Sequence, residues 1–189
     1  MTRTLADPIQ VRFAGAGGQG VILAGVLIAE AGMHDGLHVV ATQSYGPEAR
    51  LGAAKTEVVL SHRPIVFPEV RVPDLIVCLS EEAYRKHARP LAPGGVRLVE
   101  ETAVAPDAQL EPGTVTAPLL ATARGLGPNG VVAANVVALG ALVALSEVVT
   151  EESLRRALRQ RVKPALLELN ERAFEAGLAL GRPAATPAK

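Results

Sequence analysis

The chain has 189 residues, with 19 lysines and arginines balanced by 19 aspartates and glutamates, so no overall positive field would gather nucleic acid or an anionic membrane. Its length suits one sizeable core, and one domain is expected over residues 1–181, with "RPAATPAK" from Arg182 as a disordered tail. Cys78 is the only cysteine, which excludes a disulfide framework, a Cys-rich zinc site and a self-contained iron–sulfur site. The opening "MTRTLADPIQ" lacks the apolar core of a signal peptide, and the longest apolar run, 131–149, is interrupted by Asn135, Gly140, Ser146 and Glu147. The chain therefore reads as cytoplasmic, with nothing spanning a membrane.

Apolar, β-branched runs follow in order: "IQVRF", "LHVVAT", "AKTEVVLS", "DLIVCLS", "GVRLVEE" and "TVTAP". Helix-like segments separate several of them, which predicts an α/β three-layer sandwich. Strand one is expected at Ile9 to Ala14. A first helix is expected from Gln19 to Met33, where Val21, Leu23, Ala24, Leu27, Ile28 and Ala31 recur at helical spacing. Strand two follows at Leu37. "KTEVVLS" alternates as an edge or antiparallel strand does, so the sheet is expected to be mixed though mainly parallel. From Val131 the pattern is helical: an apolar helix packed in the core, an amphipathic one behind a Thr150 cap, and a third opened by Pro164. Asn135 is the polar exception in the apolar helix. It is read as a buried amide satisfied by neighbouring backbone, in preference to a ligand contact.

Between strand one and the first helix lies "GAGGQG", in which Gly15, Gly17 and Gly20 satisfy Gly-x-Gly-x-x-Gly. Such glycines permit a tight turn and close ligand approach, and the helix start offers free N–H groups and a positive dipole end to an anion. A bare tight turn would use the same residues. Strand two ends in Thr42, Gln43 and Ser44 rather than an acid, which disfavours NAD, and no Gly-Lys-Ser/Thr follows, which excludes Walker A. The stretch "TQSYGPEARLGAAKTEV" leaves strand two at the same sheet edge and brings hydroxyls at Thr42, Ser44 and Tyr45 with cations at Arg50 and Lys55. These suit phosphate oxygens that the loop amides do not reach.

Other chemistry is missing. His34, His38, His62 and His87 lack metal-ligand spacing and read as surface residues; Ser44 and Ser80 lack a nucleophile elbow; Cys78 reads as a small buried apolar residue. No catalytic constellation and no metal site is visible.

Taken together, "GAGGQGVILAG", "SYGPEAR", "PDLIVCLSEEAY", "LAPGG" and "ANVVALGALVAL" resemble the gamma subunit of 2-oxoacid:ferredoxin oxidoreductases, from about Val11 to Gly177. One departure is Leu51-Gly52 where the family continues with two glycines. The resemblance implies a multi-subunit enzyme that decarboxylates a 2-oxoacid on thiamine diphosphate with Mg, reduces ferredoxin through iron–sulfur clusters and forms an acyl-coenzyme A. Those cofactors would sit on alpha, beta and delta-type partner subunits, since this chain has one cysteine and no thiamine-binding Gly-Asp-Gly segment. The resemblance also implies that this domain contributes to the coenzyme A site, through Gly15, Gly17, Gly18, Gln19, Gly20, Ser44, Tyr45, Arg50 and Lys55. A stand-alone nucleotide sensor and a purely structural scaffold are the alternatives. The chain is expected to be inactive alone and to bury an apolar surface against a second copy or its partners. The oxoacid itself, among pyruvate, 2-oxoglutarate, branched-chain oxoacids and indolepyruvate, is left open.

Overall fold

A computed structural model describes residues 6–44 and 53–182. Strand β1 (Ile9–Ala16) runs into helix α1 (Val21–His34), which returns to β2 (His38–Ser44). After β3 (Ala53–Ser61) come β4 (Leu75–Cys78), α2 (Glu81–His87), β5 (Val96–Glu100), β6 (Thr114–Ala117) and α3 (Leu119–Gly125). A 3₁₀ turn (Gly130–Ala133) then leads into α4 (Ala134–Ser146), α5 (Glu151–Arg161) and α6 (Pro164–Gly181).

The six strands lie in the order β2-β3-β1-β4-β5-β6. β3 is antiparallel to both its neighbours, while β1, β4, β5 and β6 are mutually parallel. The alternation in "KTEVVLS" thus signals direction correctly, but β3 lies inside the sheet and not at its edge. Because β2 runs parallel to β1, its carboxyl end shares an edge with the glycine loop, as the sequence predicts.

One face of the sheet presents Val11, Phe13, Leu75, Val77 and Leu98 to α1 and the C-terminal helices; the other packs Ala14, Ile76, Cys78 and Val99 against Ala83 of α2. Two helices start on side-chain caps: Ser80 accepts from the Ala83 N–H and Thr150 from the Ser153 N–H. Eleven residues of the 13-residue α4 are buried, including Asn135, so this helix has no polar face and belongs in the core. It lies against α6 with glycines at the crossing: a Cβ on Gly140 would strike the Phe174 carbonyl, and one on Gly177 the Val137 carbonyl.

Several boundaries differ from expectation. β1 extends two residues past Ala14, and α1 begins at Val21 and not at Gln19, because Gly20 adopts a left-handed conformation (φ 72°) that breaks the helix. The regular part of the apolar helix begins at Ala134, leaving Val131 and Val132 exposed in the 3₁₀ turn. Arg182, assigned by sequence to the tail, is tied down by its backbone N–H to the Leu178 carbonyl and its guanidinium to Glu151 at 2.6 Å. Residues 183–189 lie outside the described residues.

Candidate functional site

The loop between β1 and α1 is built from within. The Gln19 backbone N–H donates to the Ala16 carbonyl at 3.1 Å, and the Gln19 Oε1 accepts from the Ala16 N–H at 2.7 Å. Its Nε2 donates to the Leu79 carbonyl at 3.0 Å, joining the ends of β1 and β4. Gly15 is buried where a Cβ would meet Gln19 Oε1 at 2.7 Å and Val21 Cγ1 at 2.8 Å. Of the glycines named from sequence, Gly15 therefore makes room for the glutamine, whereas Gly17 and Gly18 are exposed. Gly18 has φ 92° and nothing within 4 Å of the place its Cβ would take. The loop's outer surface is thus bare backbone, and the Gln19 amide serves the loop's own shape.

α1 starts with no side-chain cap and no acidic residue in its first turn. Its leading N–H groups and positive dipole end remain available to an anion. Asn135 stands behind the loop, 2% exposed, and its Nδ2 donates to the Gly20 carbonyl at 3.1 Å. Half of the expected backbone satisfaction is therefore present; its Oδ1 is buried and has no hydrogen-bond partner among the described residues.

Ser44 closes β2 in register with Lys55, and Lys55 in register with Ala14. The Lys55 ammonium, however, bonds Glu57 Oε2 at 2.9 Å. Glu57 in turn accepts from Arg12 Nε at 2.7 Å, and Arg12 donates to the His87 and Arg89 carbonyls, both at 3.3 Å. This partly buried charged set lies on the α2 face and was not anticipated from sequence, because Arg12 and Glu57 meet only through the β1–β3 register. Tyr45 and Arg50, with Leu51-Gly52, lie outside the described residues.

The four histidines differ in exposure. His38 and His62 are exposed, and His34 Nε2 pairs with Gln160 Oε1 at 3.0 Å. His87 is half-buried instead of on the surface; burial, then Lys55 and Arg12, push its pKa below the usual 6.5 against the opposing pull of Glu57. Cys78 is fully buried and its thiol is pushed up to about 12, chiefly by burial. No group of His, Cys, Asp or Glu among the described residues could hold a metal ion, and no described helix is long and apolar enough to cross a membrane. A cleft of ≈ 930 Å³ lined by Arg89, Leu91, Arg97 and Glu111 opens at the other edge of the sheet, where Glu111 bridges the two arginines.

Residues 10–180 match the family described as pyruvate ferredoxin/flavodoxin oxidoreductase. The chain belongs to this family. It is 42% identical over 170 residues to the 2-oxoglutarate synthase subunit KorC of Methanocaldococcus jannaschii, covering 89% of this chain and 91% of that one. Its fold matches the crystal structure of a keto/oxoacid ferredoxin oxidoreductase gamma subunit from Geobacter sulfurreducens, with TM-score 0.80 and 40% identity, over 93% of this chain and 97% of that one. It also matches the 2-oxoglutarate:ferredoxin oxidoreductase of Magnetococcus marinus, solved with 2-oxoglutarate, coenzyme A and succinyl-CoA bound, with TM-score 0.79 and 27% identity. That match covers 97% of this chain but 33% of the longer one. The chain is thus the gamma subunit of a 2-oxoacid:ferredoxin oxidoreductase, the fold and family expected from its motifs.

Proposed function

We propose that this gamma subunit supplies part of the coenzyme A site of its complex, with the backbone of Gly17 to Gly20 receiving a phosphate. The observation that carries this reading is the exposed, side-chain-free surface at Gly17 and Gly18 directly before the uncapped start of α1. Coenzyme A carries a pyrophosphate and a 3′-phosphate, and it is bound in the related Magnetococcus enzyme. The end of β2, with Thr42, Gln43 and Ser44 in place of an acid, suits a ligand without a nicotinamide ribose. Gln19 contributes by shaping the loop, its side chain and its own N–H both being occupied. Arg50 is the principal cation, with Ser44 and Tyr45 as hydroxyl donors; Lys55, held by Glu57, is an electrostatic neighbour.

In this reading residues 1–181 act as one domain, and oxidation of the oxoacid belongs to alpha, beta and delta-type partner subunits that hold thiamine diphosphate, Mg and the iron–sulfur clusters and pass electrons to ferredoxin. The donor set of this chain agrees, since its one cysteine is buried and firmly protonated and so is unfit to ligate a cluster. The oxoacid to test first is 2-oxoglutarate, after the relative from M. jannaschii.

The test is the coenzyme A dependence of the assembled complex. Gly18→Val would force a β-branched residue into φ 92° and put bulk on the phosphate path, so the KM for coenzyme A is expected to rise while the KM for the oxoacid holds. A charge-assisted hydrogen bond is worth about 1.5–3 kcal/mol, so Arg50→Ala is expected to weaken coenzyme A by roughly ten- to a hundredfold. If both variants assembled and kept the parent's coenzyme A dependence, the subunit would be a scaffold.

A further inference from the structure

Asn135 is an anomaly on stability grounds. It lies in the first turn of a helix whose other core positions are apolar except for Ser146, which bonds the Leu142 carbonyl, and a buried acceptor with no donor is costly to keep. Leucine has the same number and branching of side-chain heavy atoms without that cost. The orientation of the amide is fixed, because reversing it would set two acceptors, Oδ1 and the Gly20 carbonyl, against each other. Nor is the bond needed to satisfy Gly20, whose carbonyl already accepts from the Ala24 N–H at 2.9 Å. Asparagine here does something that packing and hydrogen-bond accounting do not explain.

Its position suggests what. Asn135 Nδ2 and Cγ would lie 2.7 and 2.9 Å from a Cβ at Gly20, the residue whose left-handed turn aims the loop and starts α1. The exposed Val131 and Val132 precede it in the 3₁₀ turn, so the start of α4 meets the loop at this residue. We infer that Asn135 is a positioning residue: by holding the Gly20 carbonyl it fixes the direction in which the loop's N–H groups point. The inference rests on the loop being the coenzyme A site. Asn135 is buried behind Gly20, so it acts on the ligand through the backbone.

The experiment compares Asn135→Leu, Asn135→Ala, Asn135→Asp and Gly18→Val in the assembled complex, measuring KM for coenzyme A and for the oxoacid, with thermal melting and amide hydrogen exchange over Gly17–Leu23. Loss of one neutral hydrogen bond predicts a roughly three- to tenfold rise in KM for coenzyme A for the leucine and alanine variants. KM for the oxoacid should hold, loop exchange should speed up, and the leucine variant should melt no lower than the parent. The aspartate, which adds a negative charge near a phosphate, should raise KM further.

Gly18→Val raising KM while leucine and alanine leave it and the exchange unchanged would overturn the inference and spare the site. A rise with aspartate alone would reduce Asn135 to a neutral residue near an anion, also overturning it. If Gly18→Val changed nothing, the site reading would fall and the inference with it. A leucine variant that failed to fold would make the amide a stability element, unless the alanine variant folded with faster loop exchange.

Discussion

Arg12, Glu57 and Lys55 form the most consequential set of charges outside the loop. Arg12 and Glu57 are nearly enclosed, with side-chain exposures of 9% and 11%, and the guanidinium has no other anion among its bonded partners. Removing one member of such a pair leaves a charge with neither water nor counter-ion, which typically costs about 3–5 kcal/mol, so Glu57→Gln is expected to lower stability by about 3 kcal/mol in a urea melt of the purified chain. His87 adds a pH dependence to the same region. Its pKa is depressed, first by burial and then by Lys55 and Arg12, so the folded chain takes up this proton less readily than the unfolded one. The associated stability is present above about pH 6.5 and is lost as pH falls through the folded pKa. His87→Gln should flatten the acid side of the stability profile. Cys78, with its thiol pushed up to about 12, is expected to resist alkylation at mildly alkaline pH until the chain is unfolded in urea. The cysteine's character could be read locally from "DLIVCLS", whereas nothing near Arg12 in sequence reveals a partner 45 residues away.

At the scale of elements, the crossing of α4 and α6 is where a single methyl matters most. Gly140, Gly177 and Gly181 bring main chain against main chain, and a Cβ on Gly177 would meet the Val137 carbonyl and, at 2.9 Å, its carbon. Overpacking of this kind costs about 1–3 kcal/mol. At about 2–4 °C per kcal/mol for a chain of this size, Gly177→Ala is expected to melt several degrees below the parent in a calorimetric scan. Element identity was legible because it is local: the strands, the Thr150 cap and Pro164 at the head of α6 all follow from short patterns. Start points were less so. The helix expected from Gln19 begins two residues later because Gly20 is held left-handed beside Asn135, a residue 115 positions on. The interior placement of β3 likewise follows from which strands pair, which alternation alone does not encode. In the site, the glycine pattern located the loop, but only the fold separates Gly15, which accommodates Gln19, from Gly17 and Gly18, which face outward.

For the whole molecule, the chain is the gamma subunit of a multi-subunit oxidoreductase, and the expectation to test is that it does not turn over alone. The purified chain, supplied with a 2-oxoacid, thiamine diphosphate, coenzyme A and an electron acceptor, is expected to reduce none of the acceptor; measurable turnover would overturn the division of labour. The order of the chain also bears on how it is made. All six strands are complete by Ala117, yet α4, α5 and α6, which supply much of the cover for Phe13, Leu75, Val77 and Leu98, begin only at Ala134. Synthesis proceeds from the amino end, so the growing sheet emerges from the ribosome with one greasy side covered by α1 alone and stays so until α4, α5 and α6 have been made. Folding is therefore gated by translation of the carboxyl third, and the unfinished product is the kind of surface that chaperones capture. Nascent chains stalled after Val149 should be digested readily by protease, whereas chains extended past Arg182 by a tunnel-spanning linker should resist it.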